Sequence, residues 1–164
     1  MMNGKVSVDE LKVQHLLYTE KQEIDVIIMD DDNFYNELIK KTFLNFQELP
    51  EIQSNYKLNV TQIFEPQECV RKALSIKNDG IPKIAFIDYY LGHEVTGDQI
   101  IKILLDRHIP IEIVLISQSE EVIGNRMMKI DSPHQNKIYK HGHTPVLCCM
   151  MLNRFIKTLE NVER

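Results

Sequence analysis

No apolar run in this sequence approaches the length needed to cross a bilayer, which argues against a membrane-spanning helix. The amino-terminal MMNGKVSVDELK lacks the apolar centre of a secretory signal, so the expected location is the cytoplasm and no membrane partner is expected. Cysteine is scarce. Cys69, Cys148 and Cys149 are an odd number, two are adjacent, and none has metal-type spacing. That pattern offers no disulfide framework, and the three read as reduced, buried small hydrophobes. Positive charge is also in deficit. The net charge of −5 argues against a protein whose task is to neutralise phosphate backbones, and no nucleic-acid partner is expected. Repeats and low-complexity segments are absent.

What remains is ordinary globular composition, with 43% apolar and 26% charged residues in a chain of 164, a length that suits one domain. From Ile24 onward, strand-like and helix-like pieces alternate. Ile24–Met29 (IDVIIM) is a β-branched apolar run fit for a strand buried on both faces. A helical stripe of Phe34, Leu38, Ile39, Thr42, Phe43 and Phe46 follows, capped by Asp32 or Asn33. Gln47 to Tyr56 reads as a polar loop. A strand over Lys57–Phe64, a helix over Glu65–Lys77 and a strand over Lys83–Ile87 come next. After a loop, Thr96-Gly97-Asp98-Gln99 has the form of a capping box and opens a helix to about Arg107. Ile111–Ile116 is a fourth strand, Ser119 caps a helix over Glu120–Ile130, and Lys137–Lys140 is a short fifth strand. Thr144-Pro145 starts the last helix.

Five strand–helix units in order predict an α/β fold: a five-stranded parallel sheet, flavodoxin-like with strand order 2-1-3-4-5, and helices on both faces. Residues 1–23 stand outside the alternation. Ser7-Val8-Asp9-Glu10 resembles a capping box, so these residues read as an amino-terminal extension carrying a short helix, with the domain proper at 24–164.

Ligands of open parallel sheets bind beyond the carboxyl ends of the strands. Here those ends carry Asp30 and Asp31, then Asp88, then Ser117, then Lys140. Three converging carboxylates repel one another unless a positive charge offsets them. Magnesium suits that task, since it binds one or two carboxylates together with waters and a phosphate oxygen. A carboxylate beside such a metal can attack phosphorus to give an aspartyl phosphate. A lysine and a serine hydroxyl can then neutralise and hold the phosphoryl oxygens.

The segments IMDDDN (28–33), FIDYYLG (86–92) with Gly97 after it, LISQS (115–119) and YKH (139–141) resemble the receiver domains of two-component response regulators, single-domain chemotaxis regulators included. The resemblance spans about residues 24–164. It implies Asp88 as phosphoacceptor, Asp30 and Asp31 as magnesium ligands together with Asp88 and the backbone carbonyl of Tyr90, Ser117 as the phosphoryl-binding hydroxyl, and Lys140 as the paired cation. It further implies a stand-alone module taking its phosphoryl group from a histidine kinase or histidine phosphotransfer protein. Such a module promotes its own phosphorylation and dephosphorylation without being a turnover enzyme. The chain ends soon after the last helix, so output is expected through a downstream protein contact. The alternative is a receiver-like binding module that is not phosphorylated.

The sequence departs from that family in places. His141 follows Lys140 where proline is usual, so a different loop is expected there. Gln118 occupies a position that is usually small. Three residues before Lys140 stands Lys137 in place of the usual aromatic, which leaves either lysine as the site cation.

Overall fold

The computed structural model describes residues 20–123 and 135–162. Strand β1 (Gln22–Met29) begins two residues before the predicted start, and its last four residues are all buried. It is central because parallel partners flank it: β2 (Tyr56–Ile63) on one side and β3 (Lys83–Asp88) on the other. Helix α1 (Asn33–Gln47) leaves the end of β1, with Asp32 as the N-cap. The Asp32 carboxylate accepts from the Phe34 and Tyr35 N–H groups at 2.9 and 3.4 Å.

The stripe of α1 differs from the expected one. Its buried residues are Asn36, Ile39, Phe43 and Phe46, and Phe34 is 69% exposed. Ile39, Phe43 and Phe46 set the rotation of the helix, which brings Asn36 inward and turns Phe34 out. The predicted loop after Gln47 holds a further helix, α2 (Pro50–Asn55), with proline at its first position and Ile52 buried beneath it. Helix α3 (Pro66–Ser75) joins β2 to β3.

Beyond β3 comes a small antiparallel hairpin of β4 (Tyr90–Gly92) and β5 (Val95–Thr96), where sequence reading expected a loop. Helix α4 (Gly97–Asp106) opens directly from it, and Gln99 accepts from the Thr96 N–H at 3.3 Å, as the capping box predicts. Strand β6 (Glu112–Ser117), helix α5 (Glu120–Ile123), strand β7 (Gln135–Tyr139) and helix α6 (Thr144–Val162) complete the described elements. Residues 1–19 of the predicted extension and residues 124–130 of the predicted fourth-unit helix lie outside the described residues. No described helix is long and apolar enough to cross a membrane.

All pairings in the main sheet are parallel, and the order is β2-β1-β3-β6-β7. This is the predicted 2-1-3-4-5 winding. Alternation splits the core into two layers. Ile24, Val26 and Ile28 of β1, Ile84 and Phe86 of β3, and Val114 and Ile116 of β6 pack with Phe43 of α1 and Leu152 of α6. Ile27 and Met29, Ala85 and Ile87, and Ile113 and Leu115 pack against Cys69, Ile100 and Leu104 of α3 and α4. Cys69 and Cys148 are buried and Cys149 half-buried, and all three are free thiols, as expected.

Candidate functional site

The same alternation decides which strand-end groups meet. Asp30, Asp88 and Lys140 continue the even-numbered rows, on the α1 and α6 side of the sheet. Asp31 has the opposite parity and lies on the α3 side. A Cβ built on Gly92 would stand 3.2 Å from the Asp31 Oδ2 and 3.6 Å from Pro66. The two layers therefore contribute carboxylates from both sides of the sheet end. One oxygen each of Asp30, Asp31 and Asp88 lies within 4.8 Å of the others. Asp30 and Asp88 are buried and Asp31 is exposed.

Lys140 reaches this cluster from the end of β7. Its Nζ donates to the Asp88 Oδ2 at 3.1 Å and to the Asp30 Oδ1 at 3.1 Å, and it lies 2.9 Å from the Asp30 Oδ2. The alternative cation, Lys137, has the other parity. Its Nζ is directed to the Val122 carbonyl of α5 at 3.5 Å. Lys140 is thus the lysine of the acidic cluster.

Burial pushes the Asp88 carboxyl up to about 7, the Asp30 charge adds to the rise, and Lys140 opposes it. Burial also raises Asp30, against the pull of Lys140 and of the Asp32 N–H. Burial by itself would lower Lys140, but the Asp88 and Asp30 carboxylates outweigh it and hold the ammonium above its ordinary value. Two buried carboxylates share one ammonium, so the cluster has room for more positive charge. The Asp30 Oδ2 is buried and accepts no well-aligned hydrogen bond among the described residues, although the Lys140 Nζ stands 2.9 Å away. Three carboxylates within 4.8 Å of one another with a single ammonium among them fit a hard divalent cation.

Ser117 is fully buried at the end of β6, one position beyond Ile116, the register partner of Asp88. Its Oγ accepts from the Ser119 N–H at 3.0 Å, so the hydroxyl is tied to the start of α5. Tyr90 opens β4, packs edge-on against Tyr89 at 4.7 Å between ring centres, and is 53% exposed. Gln118 is exposed. After Lys140 the chain turns through a trans peptide into α6. The His141 N–H donates to the Thr144 Oγ1 at 2.8 Å, and the His141 Nδ1 accepts from the His143 N–H at 2.9 Å.

Gly97 sets how near α4 can come to Asp88. A Cβ there would lie 2.8 Å from the Asp88 carbonyl oxygen and 3.0 Å from Leu115. The Gly97 N–H donates to the Tyr89 carbonyl at 2.7 Å.

Two contributors escaped sequence reading. Asn36 is fully buried, and its Nδ2 donates to the Asp30 carbonyl at 2.9 Å and to the Ile63 carbonyl at 3.1 Å. It fastens the ends of β1 and β2 to α1. Its signal was spacing: it stands three residues before Ile39 and seven before Phe43, on the buried face. Tyr35 is the other, with the Lys140 Nζ over its ring at 4.6 Å from the centre.

Solved structures similar to this chain include the BeF3-activated DrrB receiver domain, with TM-score 0.54 at 12% identity over 84% of this chain and 98% of that one. A CheY-like response regulator receiver domain protein from Methanospirillum hungatei JF-1 matches with TM-score 0.55 at 16% identity, covering 84% and 98% of the two chains. A response regulator receiver protein from Dyadobacter fermentans DSM 18053 matches with TM-score 0.52 at 17% identity, covering 81% and 98%. No protein-family model and no curated protein matches the sequence. At these identities the likeness is one of fold.

Proposed function

We propose that this chain, which has the fold of a response-regulator receiver domain, works as a phosphoacceptor in two-component or phosphorelay signalling. The observation that carries this reading is the convergence of Asp30, Asp31 and Asp88 with Lys140 at the carboxyl end of the sheet. The donor would be a phosphohistidine on a histidine kinase or histidine phosphotransfer protein in the cytoplasm. An Asp88 carboxylate oxygen attacks phosphorus. The O–P bond forms as the P–N bond breaks, and its electron pair leaves on the imidazole nitrogen.

Asp30, Asp31 and Asp88 would hold magnesium, with the Tyr90 carbonyl as a further ligand. When bound, the ion supplies charge neutralisation among the carboxylates and at a phosphoryl oxygen. Lys140, already paired with Asp88, neutralises the phosphoryl group from the β7 side. Ser117 donates its hydroxyl to a phosphoryl oxygen. Its Oγ also accepts from the Ser119 N–H, so its movement would be felt at the start of α5. Output would then pass to a downstream protein through the surface of α5, β7 and α6.

The test is incubation with magnesium and a small phosphodonor, followed by mass analysis. One phosphoryl mass gained at Asp88, and none in Asp88→Asn, is the expected result. An unmodified protein under conditions where magnesium binds would favour the unphosphorylated binding module instead.

A further inference from the structure

We propose that Tyr35 is a positioning residue for Lys140, an inference that rests on the phosphoacceptor reading. The Lys140 ammonium has three close neighbours among the described residues: the Asp30 carboxylate, the Asp88 carboxylate and the Tyr35 ring, whose centre lies 4.6 Å from Nζ. Tyr35 owes its place to the first turn of α1. The Asp32 cap accepts from its N–H, and the Phe34 ring stands edge-on to it with centres 5.7 Å apart. The helix start therefore delivers an aromatic ring to the acidic cluster.

The three neighbours differ in one respect that matters. Asp30 and Asp88 are also the carboxylates that would serve a metal and a phosphoryl group. Each such use draws negative charge away from Lys140. The ring quadrupole of Tyr35 attracts the ammonium in every state of the site, carries no net charge, and does not compete for a hard cation. Tyr35 thus keeps the Lys140 Nζ beside Asp88 while its two anionic partners are engaged elsewhere. Burial strengthens the contact, since Lys140 is only 7% exposed.

Two readouts test this. In the metal-free protein, the Lys140 side-chain proton resonances are expected to be shifted upfield by the ring current. The shift should persist in Tyr35→Phe and vanish in Tyr35→Leu. In the magnesium-loaded protein, the rate constant for phosphoryl uptake from phosphoramidate should fall about 5- to 30-fold in Tyr35→Leu and stay near the parent value in Tyr35→Phe. Fluorinated phenylalanines at position 35 should lower it stepwise as the ring quadrupole weakens, with the melting temperature unchanged. A fluorinated series with no trend, or wild-type behaviour of Tyr35→Leu in both readouts, overturns the proposal. Absence of phosphoryl uptake by the parent protein, with the ring-current shift present, overturns the phosphoacceptor reading and leaves the Tyr35–Lys140 contact standing.

Discussion

Replacing Asp88 by asparagine should stabilise the metal-free protein at alkaline pH. The carboxyl is pushed from its ordinary 3.8 up to about 7, first by burial and then by Asp30. At 1.36 kcal/mol per pKa unit, ionising Asp88 in the folded state costs about 4 kcal/mol relative to the unfolded chain. Asparagine keeps the shape and removes the charge, but Lys140 loses one of its two anionic partners. The attraction of Lys140 is already contained in the raised value, so the net gain at pH 8 is expected to be on the order of 1–4 kcal/mol. Because the folded-state value is raised, the native protein binds more protons than the unfolded chain between about pH 4 and pH 7. This carboxyl therefore makes parent stability fall as pH rises through that window. Urea unfolding in EDTA at pH 5 and pH 8 measures both effects. The parent should lose stability between the two, and Asp88→Asn should show a smaller loss. Magnesium should stabilise the parent at pH 8 more than the variant. An asparagine variant that is less stable at pH 8, or that keeps the full pH slope, would refute the reasoning.

Gly97→Ala forces a Cβ to 2.8 Å from the Asp88 carbonyl oxygen, so α4 or β3 must shift; a loss of about 1–3 kcal/mol in chemical denaturation is expected, together with slower phosphoryl uptake. In the β4–β5 turn, His93 and Glu94 hold φ of 47° and 64°. Glu94→Gly should relieve that left-handed strain and raise stability by roughly 0.5–1 kcal/mol, read as a higher melting temperature. Tyr90 stands half exposed two residues beyond Asp88 and is expected to shield an acyl phosphate from water. Tyr90→Asn should shorten the lifetime of the phosphorylated protein in a phosphate-release assay, and an unchanged lifetime would remove the shielding role.

Lys83 and its carboxylates give a second pH test, remote from the acidic cluster. The buried Lys83 ammonium donates to Asp25 and Asp79 at 2.8 Å each. Burial pulls its pKa down, but the two carboxylates outweigh burial and raise it. Its stabilising contribution should be complete below the unfolded-state value, near 10.5, and lost as pH rises through the folded one. Alkaline unfolding midpoints of the parent and Lys83→Met would check this. An equal alkaline decline in both would remove the ion pairs from the account.

The chain order of apolar runs, turn residues and caps was enough to specify five parallel strands and their winding, because side-chain period and capping chemistry are local properties. Strand-end placement of Asp30, Asp31, Asp88, Ser117 and Lys140 was legible for the same reason. The β4–β5 hairpin and α2 were not, since elements of two, three and six residues are too short to show a period. The phase of α1 also escaped, because Phe34 and Leu38 extend an apolar pattern that competes with the face built on Asn36, Ile39 and Phe43. Tertiary structure alone decided that Lys140 rather than Lys137 serves the acidic cluster, that Asn36 ties β1 to β2, and that Tyr35 covers the ammonium. The Lys140 contacts join elements far apart in the chain, and Asn36 reaches from α1 to Ile63 at the end of β2. Their existence depends on sheet register and helix rotation, which only the packed core fixes.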